Sequence, residues 1–400
     1  MVKEQVMQRG MPMNDSKKRV VLVGPVYPYK GGISHYTSLM CRALSENYLV
    51  EMVSYRLQYP RFLFRKEQKD YSNDSFKIKR TKYWINTMAP WNWIECSKKI
   101  KQLKPDLIII QWWHPYFTPC YLALACLLKR CRILFVCHNV LPHEHFPGDR
   151  FLTRMVLSRG NGFIVQSKKD AADLLQMIPE ALYHQTVHPT YNAFKFSNIT
   201  REESRKRLGI DSGYKVLLFF GFIREYKGLK HLIRALPAVV ESCEQVKLLI
   251  VGDFGSDRES YLKLIDENSM ANYIRICDGY IPDREVEPYF SACDLVILPY
   301  ESATQSGIVQ IAFGFEKPVV VTNVGGLPDV VQDGKTGYVV EAGNHTELAE
   351  AIIRYFKEGR AEEFTENVRK DAYRFSWDRM VEVGDKLDKM IDGGTGGCVY

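Results

Sequence analysis

Ten cysteines are spread along the chain, and no two of them form a Cys-x-x-Cys pair. Most stand in apolar runs, so free, buried, reduced thiols in a cytoplasmic protein are expected. Cys398 is third from the end, out of place for prenylation. There is no G-x-G-x-x-G, which removes the nicotinamide and flavin fingerprint. "GKT" at 334–336 has Asp329 where a phosphate-binding loop needs its first glycine, and a strand rather than a helix follows. It reads as a turn. No helix-turn-helix, RNA-binding or zinc-finger signature occurs, so nucleic acid is not an expected partner. The first 18 residues have no apolar stretch and read as a loose tail, not a signal peptide. The best candidate for a membrane span, Leu107 to Leu128, is interrupted by Gln111, His114, Pro115 and Pro119. A strand, a turn and a buried helix account for it better.

What remains is a soluble globular balance over 400 residues, with 46% hydrophobic and 25% charged. That length implies two domains. The net charge of +7 hides an asymmetry. Residues 1–200 carry 29 Lys/Arg against 14 Asp/Glu, whereas residues 201–400 carry 25 against 33. A basic N-terminal half suits an anionic partner such as a membrane surface or a lipid phosphate. A solvated surface without a partner is the plainer alternative.

Apolar runs alternate with helix-like stretches. Strands are predicted at Val20–Val23, Leu49–Ser54, Leu107–Gln111, Ile133–Cys137 and Phe163–Gln166, with helices such as Ser34–Leu44 and Lys168–Leu175 between them. The segment 186–200 has no periodicity and contains Pro189, so it reads as a linker. The alternation restarts with strands at Val216–Phe220, Lys247–Val251, Ile274–Cys277, Leu295–Leu298, Val319–Thr322 and Gly337–Val340. Helices intervene, such as Leu229–Glu241 and Glu347–Phe356. The fold class is therefore α/β, with two Rossmann-like, doubly wound parallel sheets facing each other across a cleft. Ligands of such sheets sit at the carboxyl ends of the strands.

Those ends hold the chemistry. The first strand leads to Gly31 and Gly32 at the opening of a helix, where backbone N–H groups can approach an anion. Ile133–Cys137 ends at His138, read either as a ligand group or as a histidine satisfied within its loop. His143, Glu144 and His145 follow, but their spacing matches no usual metal site. Val216–Phe220 ends in Gly221, and Arg224, Lys227 and Gly228 precede the next helix. A cation is unfavourable at a helix N-terminus unless an anion joins it, so these residues read as a diphosphate cradle. The bland alternative is that both cations project into water. Tyr280 and Ile281, after Ile274–Cys277, can offer backbone groups to a nucleobase, and "PDREVEPYF" beyond them reads as a capped helix. Thr304, Gln305, Ser306, Gly307 and Ile308 form a polar turn before a helix at Val309–Phe315. It is either a second phosphate or sugar site or a plain Ser/Thr cap.

In order and spacing, "GPVYPYKGGISHYT", "CHNVLPHE", "IVQSKKDAADLL", "GFIREYKGLKHLIRAL", "LLIVGD", "DGYIPDREVEPYFSACDLVILPY", "SGIVQIAFGFEKPVVVTNVGGLPDVV" and "DGKTGYVV" resemble glycosyltransferase family 4. These are retaining, nucleotide-sugar-dependent enzymes of the GT-B fold. The resemblance runs from about Arg19 to about residue 390. It implies an N-terminal acceptor domain over 19–190 and a donor domain over 200–375, with "FSWDRMVEVGDKL" returning as a helix over about 376–390. Arg224 and Lys227 would hold the donor diphosphate in place of a metal, so neither a cofactor nor a metal is implied. Gly32 would bring backbone to the phosphate, and His138 would lie beside the sugar. Tyr280 and Ile281 would hold the base, while Ser306, Gly307 and Ile308 would offer N–H groups to sugar or phosphate.

Two positions depart from the family. Its arginine after the strand-end glycine falls on Phe222. Its two glutamates, seven residues apart, fall on Ala303 and Ile311, with Glu301 and Gln310 nearby but out of register. Thr304, Gln305 or Gln310 would then make the carboxylates' contacts. The implied function is transfer of a sugar from a nucleotide donor to a hydroxyl of a glycan or lipid-linked acceptor, in bacterial-type polysaccharide or glycolipid biosynthesis. The expected location is the cytoplasm, with peripheral attachment to anionic membrane through the basic half. A nucleotide-sugar 2-epimerase on the same fold and a non-catalytic nucleotide-sugar-binding subunit are the alternatives.

Overall fold

The structure is a computed structural model that describes residues 17–393 except 65–66, 72–73, 143–145, 191–193 and 256. Thirteen strands are described: β1 (Arg19–Val23), β2 (Leu49–Leu57), β3 (Lys82–Asn86), β4 (Leu107–Trp112), β5 (Ile133–Cys137), β6 (Gly162–Val165), β7 (Tyr183–Gln185), β8 (Lys215–Phe220), β9 (Val246–Gly252), β10 (Ile274–Asp278), β11 (Leu295–Leu298), β12 (Val319–Thr322) and β13 (Gly337–Val340). They form two all-parallel sheets, ordered β3-β2-β1-β4-β5-β6-β7 and β10-β9-β8-β11-β12-β13. In each sheet the strand order reverses beside the first strand, between β1 and β4 and between β8 and β11. Those reversals open the crevices in which such sheets bind ligands.

Strand alternation divides the core. Val20 and Leu22 belong to one apolar cluster, Val21 and Val23 to another. In β8, Leu217 and Phe219 face a third cluster, while Val216, Leu218 and Phe220 join Val20 and Leu22. One core thus lies on the outer face of each sheet, and one runs continuously between the domains. Both faces of the central strands are covered, so they read as unbroken apolar runs. β3 and β7 are edge strands, "KYWIN" and "YHQ", with exposed or half-buried positions. β3 mixes polar with aromatic residues and β7 is only three residues long, so neither has such a run and sequence patterning passes over them.

The Trp377–Gly393 helix packs against the first domain. Asp388 pairs with Lys18 at 2.7 Å and Arg132 at 3.2 Å, Asp385 accepts from the Tyr48 hydroxyl, and Met380 Sδ accepts from Tyr36 at 3.7 Å. Lys18 is therefore anchored, while residues 1–16 of the expected tail lie outside the described residues. The segment expected as a linker is also held. Buried Glu287 accepts from the Phe196 N–H at 3.0 Å and from the Ser197 N–H and hydroxyl, each at 2.8 Å.

The doubtful apolar stretch is β4, a short 3-10 turn at Pro115–Phe117 and a helix at Thr118–Leu127. Among the described residues no helix is long and apolar enough to cross a membrane. Residues 334–336 form a turn into β13, as their context implied. Cysteine burial needs a correction: Cys126 is exposed, and Cys131 and Cys277 are half-buried.

Candidate active site

A cleft opens between the carboxyl ends of the two sheets and holds about 800 Å³ of atom-free space, counting solvent at its mouth. Gly31 and Gly32 line it from the first domain. Gly221, Lys227, Tyr280, Ile281, Gly307 and Ile308 line it from the second. These eight come from four separate loops, and only the sheet topology brings them together.

Lys227 closes a 3-10 turn, Glu225–Lys227, that follows β8. Its Nζ stands 5.7 Å from the Tyr300 ring centroid. Gly221, at φ 107°, leaves room for it, since a Cβ there would lie 3.2 Å from Nζ. The residue is half-buried, and its charged end is desolvated by the protein packed around it. Burial, and then the neighbouring Arg224 charge, lower the ammonium from its usual 10.5 to about 8. Holding this charge costs roughly 3 kcal/mol, an imbalance that an anion would offset. Arg224 is exposed at the mouth, beside the Gly255 loop, and does not line the cleft.

Gly228 has a different part from the ligand contact expected of it. Its φ is 64°, and a Cβ there would lie 1.9 Å from the Pro299 carbonyl oxygen. The bare backbone lets the turn press against the end of β11, which sets the start of the Leu229–Ser242 helix.

The 303–311 turn also departs from expectation. Thr304 Oγ1 donates to Asn139 Oδ1, and Gln305 Nε2 donates to the Gln166 carbonyl. Nearby, Asp329 accepts from the Lys168 N–H and pairs with its ammonium, both at 3.2 Å. Thr304 and Gln305 thus join the two domains. The turn abuts the ends of β5 and β6, so its side chains reach protein first. Ser306 stands before the Gly307–Gly314 helix without capping it, and its hydroxyl meets Tyr300 Oη at 3.4 Å. Gly307 and Ile308, the first residues of that helix, are what face the cleft. "PDREVEPYF" likewise forms a 3-10 turn and a helix, Val286–Ala292, with no side-chain cap.

Where the family's glutamates would stand, Ala303 is buried and Ile311 lines the cleft. Glu301 does not replace them, because it binds His231 at 2.7 Å and Lys230 at 2.9 Å. Gln310 is fully buried, and neither its Oε1 nor its Nε2 has a hydrogen-bond partner. An unpaired buried amide is costly, and Gln310 lies behind the cleft wall, not in its lining.

His138 is buried below the cleft and is not among its lining. Its Nε2 lies 2.7 Å from Gln111 Oε1, and the Tyr36 ring packs edge-on at 4.5 Å. Burial, then the nearby His188, lower it to about 3, so the ring is neutral at physiological pH. As Gln111 Oε1 only accepts, His138 Nε2 donates. His143, Glu144 and His145 lie outside the described residues. Among the described residues no cluster of three metal-ligating side chains occurs.

Several residues went unread in the sequence. His35 Nε2 meets Asp283 Oδ2 at 3.0 Å across the cleft, and Lys30 Nζ stands 4.5 Å over the Tyr280 ring. Asp253 and Phe194 also line the space. His35 lies three residues beyond Gly32, one helical turn along, which was a legible signal. The pairing with Asp283 depends on domain placement and was not.

Residues 200–374 match the model of group 1 glycosyl transferases, and residues 30–189 match that of glycosyltransferase family 4. An uncharacterized glycosyltransferase of Methanocaldococcus jannaschii is 28% identical over 50% of this chain and 52% of its own length. A D-inositol 3-phosphate glycosyltransferase of Corynebacterium urealyticum is 26% identical over 80% of this chain and 74% of its own. Another, from Catenulispora acidiphila, is 26% identical, and the match covers 60% of each chain. The chain thus spans only about half to three fifths of the first of these relatives. Among solved structures, a Rickettsia africae glycosyltransferase superposes with a TM-score of 0.72 at 17% identity, over 95% of this chain and 100% of that one. An Anabaena protein in complex with UDP and glucose gives 0.71 at 18%, over 94% and 100%. Both sheets, the cleft and the matches to the two halves agree: this chain belongs to glycosyltransferase family 4 and has the GT-B fold.

Proposed function

We propose that the chain transfers a glycosyl group from a nucleoside-diphosphate sugar to an acceptor hydroxyl, with retention, in polysaccharide or glycolipid biosynthesis. The observation that carries this reading is the Lys227 ammonium, desolvated in the same cleft that Gly31 and Gly32 line from the other domain. In the reaction the bond from the anomeric carbon to the diphosphate oxygen breaks, and a bond to the acceptor oxygen forms. The nucleoside diphosphate leaves with the electron pair, and the hydroxyl proton passes to the departing oxygen. Lys227 neutralises that growing charge and Arg224 folds in from the mouth, so these two cations do what a metal does elsewhere. The Gly307 and Ile308 N–H groups add the positive end of their helix. Tyr280 and Ile281 flank the base, and the Gln310 amide, behind the cleft wall, would reach a sugar or ribose hydroxyl only through movement of its helix. His138 supports this wall from behind as a neutral donor. The Anabaena structure in complex with UDP supports a uridine donor.

A thermal-shift panel of UDP-, GDP-, dTDP- and CMP-sugars tests the donor, since a bound ligand raises apparent stability. One of them is expected to shift the transition, and Lys227→Ala to abolish the shift. A flat response to the whole panel, with and without acceptor extracts, would sink the proposal.

A further inference from the structure

A second concavity lies in the first domain, at the carboxyl end of β2. It holds about 1220 Å³ of atom-free space, counting its open mouth. Arg56, Arg61 and Lys69 line it against a single acid, Glu67. Among the described residues neither guanidinium is ion-paired. Three cations to one acid, gathered in a concave surface, are set for an anion.

The pocket is braced by hydrogen bonds to the main chain. Lys69 bridges antiparallel to Tyr29, the Lys30 N–H donates to the Gln68 carbonyl at 2.9 Å, and the Asp70 N–H to Pro28 at 2.7 Å. The Gln68 amide clamps the Tyr59 backbone, donating to its carbonyl at 2.9 Å and accepting from its N–H at 3.3 Å. One wall is aromatic: Tyr59 stacks on Phe64 at 5.9 Å, and its hydroxyl accepts from Trp113 at 3.1 Å. A flat aromatic wall beside guanidinium forks suits a sugar ring that carries a phosphate.

Position supplies the rest. Between this pocket and the donor cleft lies a narrow cavity. It shares Tyr29 with the pocket, and His35, Tyr280 and Asp283 with the cleft. The three spaces share lining residues in series, with Tyr29 at one junction and the His35–Asp283 pair at the other.

We infer that this pocket seats the acceptor, and that the acceptor bears a phosphate or diphosphate held by Arg56 and Arg61. The inference rests on the glycosyl-transfer reading for its direction, but the anion site stands on its own geometry. The lip, Phe62 to Phe64, is exposed and apolar, with Phe62 71% open to solvent. A lipid-borne acceptor would bury that lip, and a soluble sugar phosphate would not.

Isothermal titration with inorganic pyrophosphate tests the site. Two sites are expected in the full chain. Lys227→Ala should remove one and Arg56→Ala/Arg61→Ala the other, weakening it by about tenfold or more for the loss of two charge-assisted contacts. The double variant should bind UDP as the parent does, which also shows that it is folded. Unchanged pyrophosphate binding at both sites in the double variant overturns the inference and leaves the donor reading intact. Failure of UDP to bind the parent overturns the donor reading and leaves the anion site intact. Sedimentation with phosphatidylglycerol vesicles, lost in Phe62→Ser/Phe64→Ser, identifies a lipid-borne acceptor. No sedimentation, with pyrophosphate still bound, identifies a soluble one. Either result upholds the anion site.

Discussion

Two cation sites lie on either side of one narrow cavity and are built in opposite ways. Lys227 is enclosed, lies over an aromatic ring, and is lowered to about 8 by burial. Arg56 and Arg61 are exposed, in a wide pocket. Enclosure removes the water that screens a charge, so each contact at Lys227 counts for more, and its protonation becomes adjustable. Exposed guanidinium groups stay charged at any working pH but are screened by salt. The first arrangement suits a charge that grows during reaction, and the second suits capture of an incoming anion.

The strongest way to break this contrast is at the backbone that encloses Lys227. Gly228→Ala puts a Cβ 1.9 Å from the Pro299 carbonyl oxygen, at a left-handed φ. It should destabilise the fold by about 3 kcal/mol. Urea denaturation measures this, and an unchanged midpoint would show that the turn can relax. UDP binding should suffer while pyrophosphate binding at Arg56 and Arg61 persists. Next, Lys227→Ala should weaken UDP by about 2–3 kcal/mol, the value of a charge-assisted bond. Titration calorimetry at pH 7 would show it.

The pH dependence sharpens the difference. Free Lys227 loses its proton above about 8, and a bound diphosphate would hold it on. UDP affinity should therefore be full below pH 8. It should fall up to about tenfold per pH unit as pH rises above 8, until the bound form also titrates. Pyrophosphate at the arginine pocket should not follow. Salt reverses the ranking: from 0.05 to 0.5 M NaCl, roughly a threefold fall in screening length, pyrophosphate at the open pocket should weaken more than UDP at Lys227. The smallest effect concerns Gln310. Gln310→Leu removes two unpaired buried polar atoms and should stabilise the free fold by about 1 kcal/mol while lowering kcat/KM for the best donor. Stability gained with kinetics unchanged would show that no donor group meets the amide.

The central strands were legible because both their faces are buried: "LIIIQW", "ILFVC" and "KVLLFF" leave little choice. Edge strands β3 and β7 were not, since β3 mixes polar with aromatic residues and β7 has only three residues. The glycine and cation loops were legible as loops, since their glycines and charges break the apolar period where a strand hands over to a helix. Their partition was not legible. Lys227 faces the cleft and Arg224 stands outside it; Gly221 serves the ammonium while Gly228 serves Pro299. Thr304 and Gln305 resembled sugar ligands because a polar turn at a strand end looks the same whether it meets a ligand or another domain.

Chain order and hydrophobic period were enough for two parallel α/β sheets, their order of appearance and the loops at their carboxyl ends. Both signals are local, because they depend on residues a few positions apart. Which loops meet was decided by the packing of one domain against the other through a shared core. That packing paired His35 with Asp283 and sent Thr304 to Asn139, while packing within the first domain hid His138 behind Tyr36. Each contact joins residues far apart in sequence, where periodicity carries no information.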